Sequence, residues 1–108
     1  MWIFTSHGML SIVAHRDRPD YLLVRAREPG VIEAIFPDAK VKRTPNADYR
    51  YRAAIPRGHV AVVLGNKLFK LDYTNFKASI PASKQAYHDA CMDVWTRMTE
   101  LQNTVDRK

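Results

Sequence analysis

Among the apolar residues of Tyr21 to Arg27 (YLLVRAR) and Tyr49 to Ile55 (YRYRAAI), arginines recur at every second position, the two-residue period of half-buried β-strands. Successive side chains on a strand point to opposite faces, so Arg25 and Arg27 share one face, as do Arg50 and Arg52. Two further β-rich runs, Trp2 to Thr5 and Leu10 to His15, are joined by Ser6-His7-Gly8, where glycine supplies the positive φ of a tight hairpin turn. Arg16 to Asp20 is a polar connection into the third strand. Pro29 and Pro37 bracket a short helix over Val31 to Phe36. Lys40 to Arg43 and Tyr49 to Ile55 flank the turn formers Thr44 to Asp48 and predict a second hairpin with two basic arms.

From Arg57 onward the period lengthens. Val60, Val63, Leu64, Leu68 and Leu71 recur at helical spacing, with Gly65 placed to allow a close contact. Asp72 to Ile80 is predicted as a connection anchored by Tyr73 and Phe76. After Pro81 and Ser83, the residues Tyr87, Ala90, Cys91, Val94, Trp95, Met98, Leu101 and Val105 form one stripe, predicted to pack on the rest of the domain with Trp95 in the core. The order of elements predicts an α+β fold: an antiparallel sheet of four to five strands with two to three helices packed on one face, as a single domain over residues 1–108. Leu22, Val24 and Ala26, with Tyr49, Tyr51, Ala53 and Ile55, would face the helices. The arginines would line the open face.

A length of 108 residues suits one domain, and 46% hydrophobic with 26% charged residues is an ordinary globular balance. The net charge of +6 favours anionic partners. Between Arg16 and Arg57 basic residues outnumber acidic ones, so the middle of the chain carries most of the positive field. The single cysteine, Cys91, excludes an internal disulfide and fits a reducing cytoplasm. The opening MWIFTSHGML lacks a basic n-region and is broken by His7-Gly8, so it reads as neither a signal peptide nor a membrane span. A cytoplasmic protein that does not engage membranes is expected.

The opening MWIF, ADYRYRA (Ala47 to Ala53), DYTNFK (Asp72 to Lys77) and Tyr87 with VWTRM (Val94 to Met98) resemble a family of small stand-alone bacterial proteins of uncharacterised function. The resemblance spans nearly the whole chain and implies a compact single domain. It implies no activity, cofactor or catalytic residue.

The residues offer no catalytic constellation. His88 and Cys91 lie three apart on the last helix, but Cys91 falls inside the apolar stripe, where cysteine behaves as a small hydrophobe. His7, His15, His59 and His88 lack the paired spacing of a zinc site. Asp89 and Asp93 sit four apart on the predicted polar side of that helix. Gly8, Gly30, Gly58 and Gly65 are isolated, so no glycine-rich phosphate loop is present and no cofactor is expected.

What remains is the basic sheet face. Arg25, Arg27, Arg50 and Arg52, supported by Lys40, Lys42 and Arg43, would bind an anionic macromolecule by charge neutralisation, a nucleic-acid backbone or an acidic protein surface. Tyr21, Tyr49, Tyr51 and Tyr73 interleave with the arginines, yet Tyr49 and Tyr51 should point away from Arg50 and Arg52. The bland alternative is a solvated face balanced by Asp20, Glu28 or Asp48. The expectation is a non-enzymatic binding module. Two alternatives stand beside it: a phage- or mobile-element-type inhibitor or adaptor acting by protein contact, and an enzyme using a pocket between the sheet and the last helix. A homodimer is compatible with all three.

Overall fold

Thr5 and Gly8 close the first hairpin of the computed structural model, which describes residues 1–107. Their backbones exchange two hydrogen bonds (3.0 and 3.3 Å), and the Thr5 hydroxyl accepts from the amides of His7 and Gly8 at 3.2 Å. Gly8 adopts φ 155°, and a Cβ placed there would lie 2.5 Å from Val31 Cγ2. Glycine is required by both conformation and space.

The hairpin strands are β1 (Trp2–Phe4) and β2 (Met9–Ala14), followed by β3 (Tyr21–Ala26), helix α1 (Val31–Ile35), β4 (Lys42–Arg43), β5 (Tyr51–Pro56) and helix α2 (Arg57–Phe69). The strands form one antiparallel sheet in the order β1-β2-β3-β5-β4. Two compact units divide the chain: residues 1–72, which hold the sheet with α1 and α2, and the helical residues from Tyr73 onward. The fold class is α+β, as the order of periods predicts.

One face of the sheet carries the core of the first unit. Leu10, Ile12, Val24, Ala26, Ala53 and Ile55 cluster with Val31, Ile32, Ile35 and Phe36 of the α1 segment and Val60 of α2. Full burial of each large aliphatic or aromatic side chain is worth roughly 1.5–3 kcal/mol, enough for this cluster to dominate the unit's stability. Leu22 and Tyr51 pack against its edge, so the side predicted to face the helices is correct for these strands.

Three expectations are corrected. First, β5 begins at Tyr51, not Tyr49, because Asp48 folds its carboxylate onto the Tyr49 amide at 2.8 Å, which turns the chain out of the ladder. Tyr49 is buried, but not among the residues that face the helices. Second, the apolar stripe of α2 leaves the core after its second turn: Val60 is buried, Val63 and Leu64 are half-buried, and Leu68 and Leu71 are exposed. A Cβ placed on Gly65 would have nothing within 4 Å beyond its own helix, so the glycine serves no close contact among the described residues. Third, the segment read as a connection contains a short helix, α3 (Phe76–Ser79), which Asn75 caps by accepting from the Ala78 amide at 3.2 Å.

In the second unit, a 3-10 turn over Ala82–Lys84 leads into α4 (Gln85–Asp106), 22 residues and about 33 Å long. Tyr87 and Cys91 are buried. Trp95, predicted as core, is 57% exposed, and Val94, Met98, Leu101 and Val105 are exposed with it. Helical spacing sets which residues share a stripe; it does not supply a partner for the whole length.

Candidate anion-binding face

The register of the sheet lines up one row of side chains across every strand. Trp2 pairs with Ser11, Ser11 with Arg25, Arg25 with Arg52, and Arg52 with Lys42. Directly paired residues point to the same side, here opposite to Val24 and Ala53 and therefore away from α1 and α2. Neighbouring strands lie about 4.8 Å apart, so Arg25, Arg52 and Lys42 bring three cations within roughly 10 Å. Trp2, at the far end of the row, is exposed.

The arginines are held by the turn that precedes β5. Arg52 donates from Nε to the Tyr49 carbonyl at 3.1 Å and pairs with the Asp48 carboxylate at 3.2 Å. Arg27 donates to the Asp48 carbonyl at 2.9 Å. The Tyr49 ring takes both remaining guanidinium groups, with its centroid 4.5 Å from Arg25 and 4.2 Å from Arg27. Arg25 also donates to the Ser11 hydroxyl at 2.8 Å, which gives this fully buried serine a hydrogen-bond partner. Its Nε is buried with no acceptor among the described residues, a cost that the stacked ring and the Ser11 bond must outweigh.

This arrangement places Arg25, Arg27 and Arg52 in one cluster around the Asp48–Tyr49 turn. The Asp48 carboxylate is ion-paired to the cluster through Arg52. Lys42 extends the cluster along the row and is exposed. Arg50 lies outside the strand, exposed, with its carbonyl accepting from Thr44 and its side chain unbonded among the described residues. It does not share a strand face with Arg52.

The other two candidates fall elsewhere. Arg43 pairs with Tyr51, on the helix side of the edge strand. Lys40 lines a separate hollow of about 370 Å³ with Arg18, Asp38 and His59. In that hollow the Arg18 guanidinium covers the Tyr21 ring at 3.6 Å, which removes Tyr21 as a free stacking surface.

Sequence reasoning missed the role of Tyr49 as a platform for two arginines, because strand parity placed it on the opposite side. It also missed Trp2, whose place in the row depends on the register of β1 against β2 and of β2 against β3. No histidine, cysteine and carboxylate group able to hold a metal forms among the described residues. No described helix is long and apolar enough to cross a membrane. No protein-family model, curated protein or solved structure matches the chain.

Proposed function

We propose that the face of the sheet opposite α1 and α2 binds a single strand of nucleic acid, the backbone running over the cations and a base stacking on Trp2. The observation that carries this reading is the row itself, in which an exposed indole and the cations Arg25, Arg52 and Lys42 lie on one side of the sheet. Sequence-tolerant single-strand binders combine a positive track for the backbone with aromatic rings for the bases. The Asp48–Tyr49 turn fixes Arg25, Arg27 and Arg52 in advance, so less side-chain entropy is lost on binding. Lys42 and Arg50 supply exposed cations with no side-chain bond among the described residues. The module acts by binding rather than by chemistry, and a chain without disulfides suits a cytoplasmic setting.

The test is a titration of a fluorescent single-stranded oligonucleotide, with polyglutamate as a competing polyanion. Loss of a stacked base costs about 1–3 kcal/mol, so Trp2→Ala should weaken oligonucleotide binding roughly 5- to 100-fold. It should leave polyglutamate binding unchanged. Equal loss for both ligands, or no loss for either, removes the indole from the site. Stronger binding to polyglutamate than to the oligonucleotide assigns the face to an acidic protein instead.

A further inference from the structure

The exposed part of α4 has a second periodicity beneath its helical one. Tyr87, Cys91, Val94, Met98, Leu101 and Val105 are spaced by alternate steps of four and three, the 3.5-residue repeat of a helix that packs lengthwise on another helix. The first two of these residues are buried; the last four are exposed over about 17 Å of helix. We infer that this seam pairs with the α4 of a second copy of the chain, antiparallel, about a two-fold axis between Thr99 and Glu100.

Size and charge both favour a second copy as the occupant. Under that axis Met98 meets Leu101 of the second copy and Val94 meets its Val105, so long side chains face each other at the centre and short ones at the ends. The residues flanking the seam are Trp95, Arg97, Gln102 and Thr104. Antiparallel pairing sets Trp95 beside Gln102 and Arg97 beside Thr104, so no two like charges meet. The acidic residues Asp93, Glu100 and Asp106 lie off the seam, and Arg97 is already paired with Glu100 at 2.8 Å. The other cation near the seam, Lys77, lies over the Trp95 ring at 5.4 Å, so a polyanion would find two separated cations here rather than a continuous track. A parallel pair would align the two helix dipoles, which the antiparallel pair opposes.

Burying the exposed parts of Val94, Trp95, Met98, Leu101 and Val105 from both copies gives a contact on the order of 1,000 Å², the lower limit for a specific interface. A reversible, concentration-dependent dimer follows rather than a permanent one.

Sedimentation of the intact chain should show the apparent mass rising with concentration from 12.4 kDa toward twice that value. Met98→Glu with Leu101→Glu should hold it at the monomer mass, with helical circular dichroism unchanged because both side chains are exposed. Orientation is read by cross-linking in a Cys91→Ser background. Val94→Cys and Val105→Cys proteins should form a disulfide-linked dimer when mixed and oxidised, and neither should do so alone. A monomer at every concentration overturns the inference, whether or not another protein binds the stripe. Cross-linking of Val94→Cys with itself overturns the antiparallel pairing.

Discussion

Replacing Arg52 and replacing Arg50 remove the same charge from positions two residues apart, yet the structure predicts different outcomes. Arg52→Gln loses a charged donor to the part-buried Tyr49 carbonyl, worth about 1.5–3 kcal/mol. It also loses the Asp48 pair. The two side chains of that pair are 30% and 67% exposed, which holds its worth to about 0.2–1 kcal/mol. Against this, Arg52 faces Arg25 and Lys42 directly across the strands, and relief of that repulsion returns up to about 1 kcal/mol for each. The net is a destabilisation of about 1–2 kcal/mol, or roughly 5–10 °C in Tm for a domain of this size. Arg50→Gln removes an exposed side chain with no bond among the described residues and should stay within about 0.5 kcal/mol of the parent. Denaturant unfolding followed by circular dichroism measures both values. Equal stability of the two variants, or a larger loss for Arg50→Gln, would refute the assignment of Arg52 to the clamp and of Arg50 to free cation.

Gly8→Ala should cost about 2–4 kcal/mol, since it combines a strained φ with overlap against the buried Val31 side chain; an unchanged denaturation midpoint would contradict the hairpin geometry. Trp95→Ala, measured at a concentration where the chain is monomeric, should cost less than about 1.5 kcal/mol, far below the 3–5 kcal/mol of a buried aromatic. Thermal melts decide between the two values. Cys91 is buried, so a thiol reagent should label it slowly in the native protein and rapidly in denaturant; fast native labelling would place it at the surface. On α4, the Gln85 amide bonds the Asp89 carboxylate at 2.8 Å and, with His88, holds its pKa below that of an ordinary aspartate. Gln85→Ala should raise that pKa in an NMR titration, and any such stabilisation is present above the unfolded-state pKa and fades as pH falls through the folded one.

Much of the architecture is legible in the sequence because the two periods alternate cleanly along it. The polar tripeptide Ser6-His7-Gly8 and the prolines around Val31–Phe36 mark turns that local chemistry alone enforces. What escapes the sequence depends on pairing. Strand parity joins Tyr49 to Ile55 only if Tyr49 is in the ladder, and the Asp48 side chain, by capping the Tyr49 amide, takes it out. The basic face is visible as alternating arginines, but its membership is not. Lys40 and Arg43 share the composition of Lys42 without sharing its face, and Trp2 joins the row through the registers of two strand pairs. The stripe on α4 shows the same limit. Its 3.5-residue spacing is plain in the sequence, while the change from buried Cys91 to exposed Trp95 is a matter of tertiary contact.

Salt dependence tests the binding face most directly. Arg27, Arg52 and Lys42 on this face, with Arg50 exposed just before β5, offer three to four phosphate contacts, so the logarithm of affinity for a single strand should fall with the logarithm of salt concentration at a slope of about −2 to −3. Lys42→Gln with Arg50→Gln should reduce that slope by about 1.4, two contacts' worth, at unchanged thermal stability. A slope near zero in the parent, or a slope unaltered in a double variant that folds normally, would contradict the claim that this sheet face binds a polyanion.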